Sequence, residues 1–399
     1  MDSRLRIRTR YTGGVLAVLA VLAMLAVGPA LADQWYAEPK ARLYGFYEDN
    51  VGLVTTNEKS SPGFIASASV KGGTRSETRD INLAGELVRR QYFDDSPRNT
   101  TDFHFDGGYV RKIERDRFVL DAAYDLDSSL TSEVGTSGRV QVNKRRNRWS
   151  LAPGWQRQVD ERLSLNAALS YADVRYDDGL SAGLVDYSYA TLGGGFAYGV
   201  SERMQVIGRL SYDRYDAEQI TNTSDTFGLL AGVGYAFSED WSVNALIGAR
   251  VAEVETSLGS NDSTGGLFDI STTKRIETGS LRAAIGRDLQ PSGDGVLLDT
   301  LRASVDWDQA ITPRWRGLLH IDAYRNTLPS GTASGLDRDY FSIAPRLRYQ
   351  IERDWALDLG YRYRYQKYDN ATASAEANAV FFTIAYAPQR ERPDLDLTR

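Results

Sequence analysis

The sequence contains no cysteine, which excludes a disulfide framework, a thiolate metal site and a lipid-modified N-terminal cysteine. It has two histidines, His104 and His320, and no HExxH, CxxC or GxSxG pattern, so the common hydrolase and metal motifs are missing. Long apolar runs are also lacking. Apart from a 13-residue run near the start, no stretch approaches the roughly 18 apolar residues of a membrane-spanning helix. We therefore expect no catalytic residue, no metal site and no cofactor.

The first 32 residues have the layout of an export signal. A segment with four arginines precedes an apolar run from Val15 to Val27, and the small-residue sequence Ala30-Leu31-Ala32 follows. This order predicts a cleaved secretory signal peptide at 1–32. The segment holds four arginines and one aspartate, so its removal changes the formal net charge from −6 to −9. An acidic chain of this kind has no general attraction to nucleic acid.

The stretch Trp355–Tyr368 shows the pattern that recurs along the remainder of the chain. Alternate positions carry Trp, Leu, Leu and three Tyr, whereas the positions between them carry small or polar residues. Period-two alternation predicts a strand with one apolar and one polar face, not a helix. Aromatic residues near both ends of the apolar face are typical of strands that cross an outer membrane.

Short polar turns recur every 35 to 46 residues. The turns are centred on Glu77, Arg115, Glu161, Glu202, Glu239, Thr278, Pro313 and Arg353. Looser segments rich in Gly, Ser, Asn, Asp and Thr alternate with them. They lie around residues 57–61, 94–101, 133–139, 178–183, 217–224, 259–266, 290–295, 329–338 and 369–377. Eight turns and nine loops predict about eighteen strands in an all-β, transmembrane, antiparallel up-and-down β-barrel with short periplasmic turns.

The predicted organisation has four parts. Residues 1–32 are the signal peptide, 33–40 a periplasmic lead, 41–387 the outer-membrane barrel and 388–399 a periplasmic tail. Barrels of 16 to 18 strands are wide enough to hold an aqueous channel. The predicted outer loops do not exceed about ten residues, so the sequence predicts that no loop folds in to narrow the pore.

Five short sequence segments resemble those of a known family. They are Tyr47-Glu-Asp-Asn-Val, Arg148-Trp-Ser-Leu-Ala-Pro, Gly183-Leu-Val-Asp-Tyr-Ser-Tyr, Pro291-Ser-Gly-Asp-Gly and Asn378-Ala-Val-Phe-Phe-Thr. With these phrases the chain resembles the β-barrel porins encoded beside exopolysaccharide and PEP-CTERM gene clusters in Gram-negative bacteria. The resemblance implies an outer-membrane barrel, in some relatives the last step of polysaccharide export. It brings no catalytic residues.

The turn at Glu352-Arg353-Asp354 fixes a strand register. It sets Leu347 opposite Leu359 on the lipid side and Arg348 opposite Asp358 in the lumen, and it leaves three arginines without a carboxylate directly across the hairpin. The predicted basic lumen stripe comprises Arg346, Arg348, Arg362 and Arg364. Unpaired arginines on a pore wall would attract the acidic groups of a passing solute. The alternative is a salt-bridge ladder that stiffens the wall.

Acidic residues are also predicted to face the lumen. They are Asp306, Asp308, Asp322 and Asp358. A symmetric turn at Pro313 would place His320 opposite Asp306, a set that a hydrolase could use as its base. A polar pair on the lumen wall is the preferred interpretation.

The basic run Lys144, Arg145 and Arg146 precedes residues 149–159, a segment of the roughly eleven residues that cross the membrane before the turn at Asp160. We expect this run to form an outer-interface basic collar, with Arg89, Arg90, Arg175, Arg214, Arg325 and Lys367 at similar heights. Clustered cations favour the phosphates of lipopolysaccharide. A solvated rim without a ligand is the alternative.

Three functions are consistent with these features. The first is a wide conduit for exopolysaccharide export, the second is a porin for small solutes, and the third is an outer-membrane enzyme. The sequence favours the conduit and does not favour the enzyme. The expected location is the outer membrane of a Gram-negative cell after Sec-type export. Expected partners are outer-membrane lipids, lipopolysaccharide and the barrel insertion machinery, together with periplasmic polysaccharide-export components for a conduit.

Overall fold

The alternating segments fold into one closed ring of strands. A computed structural model of the chain describes residues 34–136, 138, 142–257, 259–329 and 335–388. Within these ranges eighteen antiparallel strands each pair with the next, and β1 also pairs with β18. The predicted transmembrane up-and-down barrel of about eighteen strands is confirmed. The predicted signal peptide at 1–32 and residues 389–399 of the predicted tail lie outside the described residues.

The strands have the following bounds: β1 Gln34–Glu48, β2 Ser61–Arg75, β3 Arg79–Tyr92, β4 Thr100–Ile113, β5 Asp116–Ser128, β6 Arg145–Gln158, β7 Leu163–Tyr176, β8 Tyr187–Gly199, β9 Met204–Ala217, β10 Asn222–Ser238, β11 Trp241–Thr256, β12 Gly259–Ile276, β13 Gly279–Pro291, β14 Leu297–Ala310, β15 Trp315–Thr327, β16 Arg338–Glu352, β17 Trp355–Tyr368 and β18 Ala375–Tyr386. One short α-helix, α1 (Ser129–Ser132), and two 3-10 turns, Ser96–Arg98 and Gly179–Ala182, lie in the connections. None of the helices in the described ranges is long and apolar enough to cross a membrane.

The outward face of the barrel is apolar and has no protein packed against it. Ile247, Leu210 and Leu359 are 69%, 63% and 62% exposed. Contact of this apolar surface with water would be unfavourable, and a lipid bilayer removes that contact. Aromatic rings gather at the turn end of this face, where Trp315 lies 4.8 Å from Tyr349 and the other pairs are similar. A band of aliphatic side chains with aromatic rings at its border matches an outer-membrane strand exterior.

All eight predicted turns connect neighbouring strands at one end of the barrel. The predicted register around Arg353 is also confirmed, because Leu347 pairs with Leu359 and Arg348 with Asp358. The hairpin at Pro313 likewise pairs Asp306 with His320. Each register follows from a turn of two to four residues whose flanking strands keep apolar side chains opposite one another.

Residues 34–40 are not a lead before the first strand, as predicted, but the first half of β1. They pair with β2 alone, which extends to Arg75, and β1 joins β18 only from Ala41 onward. The long neighbouring strand supplies backbone partners that an isolated lead would lack.

At the other end, three connections differ from the sequence prediction. Residues 259–266, predicted as a loop, belong to β12 and pair with β11. The β5–β6 connection is longer than predicted, since β5 ends at Ser128 and β6 begins at Arg145, leaving sixteen residues. The β1–β2 connection, 49–60, is also longer than the predicted 57–61.

Candidate functional site in the pore mouth

The β5–β6 connection folds into the barrel. Its neck is fixed locally, because the Ser128 hydroxyl accepts a hydrogen bond from Leu130 N at 3.2 Å and caps α1. The Ser129 hydroxyl donates to Val142 O at 2.6 Å and so ties the two sides of the connection together. Gly138, at φ +69°, donates its N–H to Glu133 O at 2.7 Å, a backbone conformation that favours glycine.

The far side of this connection reaches strands across the pore. Tyr324 donates its hydroxyl to Val134 O, and Asn326 Nδ2 donates to Thr136 O at 2.8 Å. Tyr324 and Asn326 belong to β15, which lies ten strands from β5 in one direction around the ring and eight in the other. The connection therefore crosses the lumen from one wall to the opposite wall.

Arg338 on β16 is the main anchor for the crossing segment. Its side chain is 1% exposed, and its Nη2 donates to Val134 O at 2.6 Å while Nη1 donates to Gln366 Oε1 at 2.9 Å. The guanidinium also lies 5.0 Å from the ring of Tyr324, a favourable cation–π distance. Because a buried cation needs acceptors, the carbonyls of the crossing segment stabilise Arg338 as Arg338 holds the segment.

A second connection joins this one inside the mouth. Leu53, from the β1–β2 connection, is 1% exposed and packs with Tyr324, Tyr340 and Val134 in one apolar cluster. Asn50 fixes the connection by donating to Val54 O at 2.8 Å and to Glu376 O at 2.9 Å. Two loops from different parts of the sequence thus share one core against the β15–β18 wall.

The top of the β13–β14 hairpin fills the other side of the mouth. Tyr215 donates its hydroxyl to Ser292 O at 3.1 Å, and Asn222 Nδ2 donates to Gly295 O at 2.6 Å. Val185, from the β7–β8 connection, donates its N–H to Gly293 O at 2.7 Å. An apolar cluster that includes Val185, Tyr215 and Leu297 seals these contacts. The hairpin therefore bends inward against β7–β11.

Below the mouth, the predicted basic stripe faces the lumen but is not unpaired. Glu48, on β1, accepts Arg364 Nη2 at 2.5 Å and Arg362 Nη2 at 3.3 Å. Arg346 lies 3.5 Å from Asp358, which also binds Arg348 at 2.7 Å. The prediction of unpaired arginines is wrong, because it considered only residues directly opposite one another within one hairpin. Glu48 reaches across β18, where Arg362 and Arg364 face the small side chains of Ala379 and Ala377.

The predicted lumen acids likewise have basic partners on adjacent strands. The pairs are Asp306 with His320 at 2.8 Å, Asp308 with Arg316, Asp322 with Arg302 at 4.0 Å, and Asp358 with Arg348. A second group was not predicted: Asp125 binds His104 at 2.8 Å and Arg148 at 3.0 Å. The lumen wall is a ladder of opposite charges, which is the alternative given above for the stripe.

The predicted basic collar does not form as a set. Arg146 faces the lumen, where Asp127 accepts its Nε at 2.9 Å and its Nη2 at 2.6 Å. Arg145 donates to Thr101 O at 2.7 Å. Lys144 binds Asp178 at 2.6 Å, and with Ser181 it holds the pKa of the Asp178 carboxyl below its usual range. Adjacent residues on a strand point to opposite faces, so a consecutive run could not supply a collar on one face.

Because the β5–β6 connection crosses the lumen, the prediction that no loop narrows the pore is wrong. The segment around 133–139 gave a turn signal through its Ser, Thr and Gly content, but that composition carries no information on the direction of a loop. A usable signal was the separation of the apolar strands on either side, which leaves residues 129–144 without alternation.

The molecule is a transmembrane β-barrel whose mouth is narrowed by its own loops. No family model matches the sequence, and no curated protein matches it. Among solved structures it is similar to Pseudomonas aeruginosa OccK2 (OpdF), at 12% identity and TM-score 0.48 over 89% of this chain and 98% of that one.

Two further solved structures are similar at the same level. A BenF-like porin from Pseudomonas fluorescens Pf-5 shares 10% identity at TM-score 0.47, over 89% of this chain and 99% of that one. The outer membrane protein OpdK from Pseudomonas aeruginosa shares 11% identity at TM-score 0.46, over 88% and 98%. These likenesses concern the barrel architecture. The family resemblance given by the short sequence phrases stays a prediction.

Proposed function

We propose that the chain is a channel for small polar solutes in the outer membrane of a Gram-negative cell. Its exterior presents an apolar band to lipid, whereas its interior presents a polar, charged wall to water. Each strand is hydrogen-bonded to both of its neighbours, and β1 and β18 close the ring, as a membrane interior requires.

The observation that carries this proposal is the segment 129–136, which crosses the lumen and binds Tyr324, Asn326 and Arg338 on the far wall. A backbone held on both sides divides the mouth into narrower passages. This geometry is suited to sugars, amino acids or small acids. It is not suited to a folded or branched polymer chain, so the argument for a wide polysaccharide conduit does not hold.

The lumen charges favour weak selectivity for ions. Because most carboxylates on the wall have an arginine or histidine within 4 Å, their fields largely cancel a short distance away. Such paired charges offer hydrogen bonds to a passing solute without holding it strongly. We expect both small anions and small cations to pass.

Conductance of the purified barrel in planar bilayers tests the proposal. Replacement of residues 130–142 with a short Gly-Ser linker should raise single-channel conductance and admit larger sugars in liposome swelling. A matched variant with residues 369–374 replaced should behave as the natural chain does. A natural chain that shows no conductance, or a loop variant whose conductance and size limit are unchanged, would contradict the proposal.

We also propose that lipopolysaccharide contacts the loop end of the outer surface. Arg89, Arg175, Arg214 and Arg325 lie on the outward face above the apolar band, where Arg325 is 62% exposed at its side chain. Each is held in place by a neighbouring acceptor, and the exposed guanidinium groups remain accessible to phosphate oxygens.

A further inference from the structure

The barrel wall contains a seam between β12 and β13. These strands pair from Ile276 and Gly279 up to Phe268 and Arg287, where the ladder ends. Above that point, residues 259–267 pair with β11 only and residues 288–291 pair with β14 only. The reason is the inward bend of the β13–β14 hairpin, which takes β13 away from β12. Within the described chain, the ladder between β12 and β13 therefore stops four residues before β13 ends.

A cavity of about 530 Å³ opens at this seam, a size within the usual range of small-molecule sites. Its lining includes lumen-facing side chains such as Thr191 and Asp213, and also Phe268 and Ile285, whose positions alternate with the lumen side and face lipid. The cavity therefore lies against the inner side of the wall, directly beside the place where β12 and β13 separate.

The seam begins at the outer edge of the apolar band. Below it on the outward face of β12 lies Ile270, which is 38% exposed, and Phe268 lies beside Ile247 of β11. Above it, the same face carries Thr264 and Asp262, both exposed to solvent. The opening therefore lies where acyl chains meet head groups, not in the middle of the bilayer.

Arg250 is a buried cation with unused donors at this cavity. Its side chain is 1% exposed, and its Nη2 donates to Asp299 at 2.5 Å. Nε and Nη1 have no hydrogen-bond partner among the described residues. Asp299 is shared, since Arg287 donates to both of its oxygens at 2.9 Å. Two arginines thus share one carboxylate, and buried donors without acceptors are costly.

We propose that the seam cavity binds an amphiphilic carboxylic acid of medium chain length and lets it pass sideways between the lumen and the outer leaflet. The carboxylate accepts hydrogen bonds from Arg250, and the alkyl chain lies against Leu267, Phe268 and Ile285. The position of the seam at the lipid border provides a route that a water-filled pore lacks. This role does not depend on the proposed conduction of small solutes.

Binding of radiolabelled decanoate to the intact barrel in amphipols, with empty amphipols subtracted, tests the site. Decanoate should bind more tightly than butyrate, which has the same head group and too short a chain. Arg250→Met should weaken decanoate binding by roughly tenfold or more, since a charge-assisted hydrogen bond is lost. Arg90→Met, which removes an arginine paired with Asp102 on another part of the lumen wall, should not change it. Equal binding of decanoate and butyrate would overturn the proposal, as would equal effects of the two substitutions.

The lateral route has its own test, which uses the absence of natural cysteines. Ile285→Cys, labelled with a bulky maleimide, should block decanoate binding and decanoate uptake into proteoliposomes while potassium chloride conductance persists. Leu359→Cys with the same label, on a different part of the lipid face, should block neither. If Arg250→Met does not fold, the labelling experiment at residue 285 tests the proposal by itself. Unchanged decanoate uptake after labelling at residue 285 would exclude the lateral route. An absence of potassium chloride conductance in the unlabelled natural chain would contradict only the proposed solute channel.

Discussion

The two ends of the barrel are built on different principles. At the turn end, each connection is short and, apart from the closure of β1 on β18, neighbouring strands are also neighbours in the sequence. At the loop end, the decisive hydrogen bonds join residues far apart in the sequence: Tyr324 to Val134 spans 190 positions, and Arg338 to Val134 spans 204. Local contacts make the wall, whereas distant contacts make the mouth. The wall should therefore tolerate changes that open the mouth, and a defect in the wall should abolish both.

The largest expected effect comes from a charge on the lipid face of the wall. Leu359→Arg should reduce the free energy of folding in lipid by about 2–4 kcal/mol, the cost of arginine at mid-membrane. Reversible unfolding in liposomes, followed by heat-modifiable migration, measures this loss. Ala284→Arg, at an exposed lumen position, is the matched control. Gly360 is unsuitable because the Phe381 ring already occupies the space of its missing side chain. Equal losses for Leu359→Arg and Ala284→Arg would mean that the two faces are misassigned.

Next in size is the anchor of the mouth. Arg338→Met should reduce the free energy that holds residues 129–136 against the far wall by about 1.5–3 kcal/mol, the range for hydrogen bonds to a charged group. The wall should stay folded. Limited proteolysis should then cut the β5–β6 connection, and single-channel conductance should rise. Arg314→Met removes an exposed arginine that contacts Tyr349 at the turn end and should change neither. A protected loop in Arg338→Met would show that the other contacts suffice to hold it.

A smaller effect is expected when the carboxylate shared by Arg362 and Arg364 is removed from the lumen side of the wall. Glu48→Gln leaves Arg362 and Arg364 without their carboxylate partner. It should reduce the free energy of folding by about 1.5 kcal/mol. The lumen also gains a positive charge, so reversal potentials in a salt gradient should shift toward anion selectivity. Asp116→Gln, which alters an ion pair with Arg157 near the turn end, serves as the control. A Glu48→Gln barrel with unchanged selectivity would place these arginines outside the path of the ions.

The smallest effect is expected at the outer rim. Replacing Arg214 and Arg325 with Gln should change stability by less than about 1 kcal/mol, because exposed ion pairs contribute little. The lipopolysaccharide that co-purifies with the barrel should nevertheless decrease, as measured by phosphate content. Arg203→Gln, in a turn at the other end, should leave it unchanged. The rim proposal fails if the lipopolysaccharide content of the double variant equals that of the natural chain.

The same division explains what could be predicted from the sequence. Period-two alternation and short turns specify the strand count and the register at Arg353, since both depend on neighbours in the chain. The partner of Arg362 and Arg364 was missed because Glu48 belongs to the first strand and reaches them only after the ring closes. The crossing of residues 129–136 was missed for a similar reason, since its acceptors and donors lie on β15 and β16. By contrast, the alternation of side chains along β6 is sufficient to predict that the Arg146 side chain points into the lumen.

The contact of Glu48 with Arg362 and Arg364 also bears on the order of folding. The contact spans 314 and 316 positions of the chain, so its formation requires nearly all the other strands to be in place, and contacts of such separation form slowly. Until then, one edge of the open sheet carries an acid and the region of the other edge carries two cations. Opposite charges on the two approaching edges attract each other over several ångströms in a poorly screened environment. They thereby favour the pairing of β1 with β18 over pairing with a second chain, a hazard that every exposed strand edge presents.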